Sequence, residues 1–449
     1  MKKVKKIISN LFIVILIIIC IIMYKKYDYN FYLKGVTEAH KTVFSRDKEI
    51  TTNGKKSYKI ENINFNDAMF FREISVTPNT PYKISCMVKT ENVEQYKNVS
   101  VAGAQIVLKN TEEHSKVIAG TTDWTKLEFC FNSKNNDKIE IGFRLGGNGY
   151  KAKGTAWFSD IRIQAGFLTE DTTWKYAVFI FKNLDVSMGN SNIKCTLDDI
   201  DIYNLKDCMR RMQESVPYMS NNKMQVEYKA IEIDEPITSL SYDDDNGYLV
   251  SEKDVYNLIQ SYLEEEEYDH IFACFKMPNG DSLTGGKTAN WVGLGNMEYC
   301  GKGFSNIRVP DNENKNIYKY ASYNQFPEEV FIHEFLHTLE RNAMEYGYER
   351  PELHSYLENG YKEDKKIGLK KWYTDYMNKD ILNGDTYIGL PEEVYKYKPV
   401  QLSNFIYSNE LSLLKEPSNI IEVINCTIER IKMLFKDRNV DIQLRGVTS

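Results

Sequence analysis

Between residues 28 and 165 apolar and polar positions alternate with a period of two. Tyr82–Val88, Leu127–Phe131 and Ile139–Leu145 each read as a half-buried strand, and polar turns at Thr77–Pro81, Asn132–Asp137 and Gly146–Gly154 separate them. Short strands at this spacing predict an all-β sandwich. From Thr173 the pattern changes. Strand-like runs at Tyr176–Leu184, Lys223–Ile233 and His270–Lys276 are interleaved with helical stretches at Leu197–Val216 and Glu252–Glu266, which predicts a mixed α/β layer. Residues 279–308 are rich in glycine and aromatics and read as a loop or edge strand at the rim of a cleft, where glycine permits close backbone approach. A last amphipathic helix is expected at 418–436, with Ile420, Ile424, Ile428 and Ile431 on its apolar stripe.

The first residues follow a third pattern. Lys2, Lys3, Lys5 and Lys6 precede an apolar run from Ile7 to Tyr24, and Lys25 and Lys26 follow it. This predicts a signal anchor at 1–27, a single pass in the cell membrane with the bulk of the chain extracellular. Cleavage of the segment would make the protein secreted. The expected organisation is therefore 1–27 anchor, 28–167 β-sandwich module and 173–449 α+β domain.

Composition excludes little else. The 449 residues are 42% hydrophobic and 27% charged with a net charge of −6, so no basic face for nucleic acid is expected. None of the 8 cysteines forms a C-x-x-C pair. Cys86 shares the core-facing phase of Ile84 and Val88, while Cys130 is out of phase with Leu127, Phe129 and Phe131; free thiols are expected.

The chemistry concentrates on one helix. Pro327, Glu328 and Glu329 suit its start and Gly347 its end. Ile332, Phe335, Leu336, Leu339 and Ala343 form an apolar stripe, and His333 and His337 lie one turn apart on another face with Glu340 and Met344. Imidazoles at i and i+4 can bind one zinc ion at about 2.0–2.1 Å each. Glu334, beside the first, can act as general base on a zinc-activated water. Of only 6 histidines, His333, His337 and His354 share one short window. Surface helical histidines beside a glutamate are the plain alternative.

Two resemblances extend this reading. Gly54–Ile60, Pro81–Thr90, Gly120–Lys126 and Gly154–Ile161 resemble carbohydrate-binding modules of the family 4/9 type, which implies a jelly-roll fold and a possible carbohydrate ligand; Trp124 and Trp157 read as core rather than sugar platforms. His333-Glu334-Phe335-Leu336-His337 resembles the HExxH helix of the zincin metallopeptidases. That likeness implies His333 and His337 as Zn2+ ligands, Glu334 as general base, and a rim strand that holds a protein or glycoprotein substrate by its backbone. The chain departs from the metzincin pattern, having Glu340 and Ala343 where glycine and histidine would follow. The third ligand is expected to be His354, brought back by the breaks at Gly347 and Pro351; Glu340, Glu358 or Glu363 would complete a carboxylate site instead. Tyr361 is a candidate oxyanion donor, and His40, His114 and His270 read as structural. The expected activity is zinc-dependent peptide hydrolysis. Its rivals are a carbohydrate-binding adhesin with a non-catalytic second domain and a zinc hydrolase of a non-peptide envelope substrate.

Overall fold

The computed structural model describes residues 33–188, 191–278, 291–310, 325–405 and 412–413. The alternating stretch forms strands β1 (Leu33–Val36), β2 (Thr42–Thr52), β3 (Lys55–Asn66), β4 (Ala68–Ser75), β5 (Pro81–Gln95), β6 (Gly103–Leu108), β7 (Gly120–Asn132), β8 (Lys138–Gly146) and β9 (Ala152–Ala165). They make two antiparallel sheets, β1-β4-β8-β6 and β2-β3-β9-β5-β7. The inward positions of both sheets interdigitate in one core that includes Ile60, Phe70, Ile84, Leu127 and Phe143. Period-two burial requires this: each strand has one apolar face, and two sheets laid face to face cover it. The architecture is a β-sandwich.

The register explains the cysteines and tryptophans. Cys86 stands opposite Leu127 and is buried, Cys130 stands opposite Lys83 and is half-buried, and both are free thiols. Trp157 is 5% exposed, but its neighbours Ala156 and Phe158 fill the sandwich core. Trp157 therefore lies on the opposite face, donating its N–H to Asp47 at 3.0 Å beneath the ammonium of Lys59. Trp124 is half-buried.

The second part is a three-layer arrangement. Strand β10 (Thr173–Phe181) is followed by a hairpin of β11 (Asn183–Met188) and β12 (Ser191–Thr196), helix α1 (Asp199–Met219) and β13 (Gln225–Ile233). A small hairpin, β14 (Ser241–Asp243) and β15 (Gly247–Leu249), leads to α2 (Glu252–Glu265), β16 (His270–Met277), β17 (Gly293–Tyr299) and β18 (Lys302–Pro310). Helices α3 (Glu329–Glu345) and α4 (Lys370–Asn378) follow. The sheet order is β13-β10-β16-β18-β17, parallel except for β17, which runs antiparallel at the edge. One sheet face (Trp174, Tyr176, Val178, Ile180) packs on α1, α3 and α4, and the other (Ala177, Phe179, Ile271, Phe275) packs on α2. Both faces are covered, so the central strands read as continuous apolar runs. Helix α1 runs through Pro217 to Met219, one turn beyond the end its apolar period suggests.

The expected single-pass anchor is corrected. Among the described residues no helix is long and apolar enough to cross a membrane. The longest, α1, carries Asp207, Arg210, Arg211 and Glu214 in ion pairs along its outer side, and such charges are costly in a bilayer. Residues 1–27 and 418–436 lie outside the described residues, as do 279–290 of the glycine-rich stretch.

Candidate metal centre

Helix α3 is fixed by its buried stripe. Phe331, Ile332, Phe335, Leu336, Leu339 and Ala343 are fully buried against the sheet and α1. Glu328 precedes the helix with its carboxylate accepting from the Ser215 hydroxyl, and Gly347 turns the chain out at φ +80°, a conformation that costs glycine little. With the stripe inward, His333 and His337 face the cleft. The loop after Gly347 then folds back and presents His354.

The three imidazoles converge. Nε2 of His333 lies 3.1 Å from Nε2 of His354. Ring centroids are separated by 4.9 Å for His333–His337, 5.1 Å for His333–His354 and 4.9 Å for His337–His354. One nitrogen from each lies within 4.8 Å of the others.

Their second nitrogens are held from behind. Nδ1 of His333 is 2.9 Å from the hydroxyl of Tyr373, which also bonds the buried carboxylate of Glu329. Nδ1 of His337 is 3.1 Å from Oε2 of Glu340, whose Oε1 accepts the amide of Leu353 at 2.8 Å. Glu340 thus fixes a ring and the loop that carries His354. Holding Nδ1 as the donor leaves Nε2 as the free lone pair, the arrangement that metal-binding histidines use. Burial, with the neighbouring rings adding, keeps His333 well below the ordinary imidazole pKa. Burial and His337 lower His354 as well. Three converging imidazole nitrogens, two of them on rings that burial holds toward the neutral form, fit a divalent cation.

Glu334 is buried beneath β17, with His337 near enough to act on its charge. It is 6% exposed. Burial pushes its pKa up to about 7, against the opposing pull of His337 and of the Gly295 amide that it accepts. The glycines of the rim matter here. A Cβ at Gly293 would collide with the Glu334 carboxylate, and one at Gly295 would stand 2.6 Å from its carbonyl oxygen. The close approach expected for a ligand is made by the protein's own glutamate.

The remaining sequence candidates are placed apart. Glu358 and Glu363 are exposed. Tyr361 donates to Asp375 at 2.5 Å instead of reaching the cleft. His40 is exposed, and His270 is buried between the hydroxyls of Ser305 and Thr338. Tyr373 was missed: it comes forty residues after His333 on a helix whose apolar spacing reads as plain core.

No protein-family model matches the chain, and no curated protein matches it in sequence. Solved structures similar to part of it include a family 4 carbohydrate-binding module with 16% identity, covering 31% of this chain and 81% of that one at a TM-score of 0.18. Another is a xylan-binding domain of Paenibacillus barcinonensis with 12% identity, covering 30% and 91% at a TM-score of 0.20. A two-module xylanase fragment of Clostridium thermocellum, complexed with xylohexaose, has 12% identity and covers 55% and 57% at a TM-score of 0.22. At these identities and TM-scores none of them bears on function.

Proposed function

We propose that this protein is a zinc-dependent hydrolase of the zincin type, cleaving peptide bonds in protein or glycoprotein substrates. The observation that supports this best is the convergence of His333, His337 and His354 beside a buried glutamate one residue from the first ligand. Nε2 atoms of the three histidines would hold the ion. When bound, zinc would polarise the scissile carbonyl and activate a water. Glu334, with its pKa near neutrality, takes and returns the proton. The Gly295 amide orients that carboxylate. Tyr373 and Glu340 keep two ligand rings in one tautomer. Among the described residues strand β17 pairs with β18 alone, and its Gly293 and Gly295 pack on Glu334 of α3, so an extended peptide can add to its other edge.

The test is hydrolysis of a peptide library by the full chain before and after chelation. Chelator-sensitive cleavage that zinc restores, and that Glu334→Gln abolishes, is expected. A zinc-loaded, folded protein that cleaves no peptide would overturn the reading. A second reading, a carbohydrate-binding protein with a non-catalytic second part, draws on the sandwich and on the partial exposure of Trp124. Retention on a glycan array, combined with no hydrolysis, would favour it.

A further inference from the structure

Where the sandwich meets the second part, three residues far apart in sequence come together. His114 lies in the loop between β6 and β7, Glu252 opens α2, and Cys300 sits in the turn joining β17 to β18. We propose that His114, Glu252 and Cys300 form a second metal site, for a thiolate-binding divalent transition ion such as zinc, which pins the sandwich to the edge strand of the cleft.

The distances suit one small ion. Oε1 of Glu252 is 3.0 Å from Nε2 of His114 and 3.0 Å from Sγ of Cys300. Sγ is 3.8 Å from either ring nitrogen of His114, and the ligand atoms all lie within 4.8 Å of one another. Across a tetrahedral ion with bonds of about 2.0–2.3 Å, ligand atoms are separated by about 3.3–3.6 Å. Small side-chain rotations bridge the difference.

Hydrogen bonding at His114 leaves a place for a cation. Nδ1 is 2.6 Å from the carbonyl oxygen of Ser115, and a carbonyl only accepts, so Nδ1 carries the proton. Nε2 then faces a carboxylate oxygen of Glu252 3.0 Å away. A proton or a metal ion can occupy that gap, and the sulfur of Cys300, 3.0 Å from the same carboxylate oxygen, makes this a donor set that suits a metal. A backbone carbonyl on the far nitrogen is also the usual support of a ligating histidine.

Local structure does not otherwise call for these residues. The N-terminus of α2 is capped by Ser251 with Asp254, which leaves the carboxylate of Glu252 free to reach His114 and Cys300. The hairpin turn has Cys300 at φ +47° and Gly301 at φ +79°, and Tyr299 pairs with Lys302 across it. A two-residue turn with both φ positive favours asparagine, aspartate or glycine first. Cysteine there is unfavourable for the turn alone, so the thiol points to a role beyond it. One thiolate, one imidazole and one carboxylate suit zinc-like ions and not calcium or magnesium. A cavity of about 150 Å³ lined by His114, Glu252, Tyr150 and Glu298 adjoins the cluster and gives a fourth ligand access.

The consequence reaches the cleft. Cys300 directly follows β17, the strand whose Gly295 amide holds Glu334. An ion here ties that strand to the sandwich independently of the three-histidine centre.

Cobalt titration of the reduced full chain tests the site, because a cysteine ligand gives a near-ultraviolet thiolate-to-cobalt charge-transfer band that three histidines cannot. Two metal equivalents and this band are expected for the wild type. Cys300→Ala should lose one equivalent and the band, and Glu252→Gln, which keeps the turn intact, should weaken binding at the band-forming site at least tenfold. His333→Ala should lose the other equivalent and keep the band, which separates failure of this site from failure of the catalytic one. A cooperatively folded wild type without the band, or a band that survives Cys300→Ala, overturns the proposal; the first result would mean that a proton alone holds His114 and Glu252 together.

Discussion

The amide of Gly295 donates to the carboxylate of Glu334, and Gly295 lacks the Cβ that would stand 2.9 Å from Oε2 of the same glutamate. Rim and base are therefore one unit: the strand that would hold substrate also aims the group that would move the proton. Gly295→Ala should cost about 1–3 kcal/mol of stability through overpacking and displace the carboxylate. Activity should fall at least tenfold with histidine-bound zinc unchanged. Full activity in a folded Gly295→Ala protein would show that this geometry is not needed.

Glu334→Gln is expected to keep the fold and the metal and to lose about 10²–10⁴-fold in kcat, the range for removing a general base. Metal analysis and peptide hydrolysis on one preparation check it. Wild-type turnover would remove Glu334 from the mechanism.

His354→Ala and Glu340→Gln should differ in degree. The first removes a ligand, so zinc at the three-histidine centre and activity should disappear together. The second leaves three imidazoles but releases the Nδ1 of His337 and the Leu353 amide, and a 10–100-fold loss of zinc affinity is expected. Zinc competition with a chelator of known affinity measures both. Equal, full occupancy in His354→Ala would return the third position to a carboxylate.

His270 gives a pH dependence away from the metal. It is fully buried, and burial, with Arg341 adding, holds its pKa well below the ordinary 6.5. As pH falls through about 6.5 the unfolded chain takes a proton that the folded chain refuses. The unfolded state then binds more protons, so stability falls with falling pH from about 6.5 down to the depressed folded value. One histidine contributes a slope of up to about 1.4 kcal/mol per pH unit. His333 and His354 act with the same sign in chelated protein. His270→Gln should flatten the slope by about one proton when urea unfolding is compared at pH 7.5 and 5.5. An unchanged slope would place the titration elsewhere.

The sandwich core is drawn from residues between Val36 and Ile163 alone. A fragment of residues 28–165 should therefore unfold cooperatively by itself. A broad, non-cooperative melt would show that contacts such as Phe405 on Gly166 and Lys83 are needed.

Local periodicity made the strands of the sandwich, helices α1 to α3 and the positions of His333, Glu334 and His337 legible in the sequence. Those features repeat within a few residues, and a helix places i and i+4 on one face whatever surrounds it. The return of His354 was legible only as an expectation, from the breaks at Gly347 and Pro351. Tertiary structure decided the rest. Tyr373 reaches His333 because α4 packs back on α3, and no spacing along the chain encodes that distance. The rim glycines make room for Glu334, and the sequence marks only that some close approach occurs there. His114, Glu252 and Cys300 meet because the sandwich docks on the edge of a second sheet. No sequence motif links the three, and only packing between distant segments brings their side chains together.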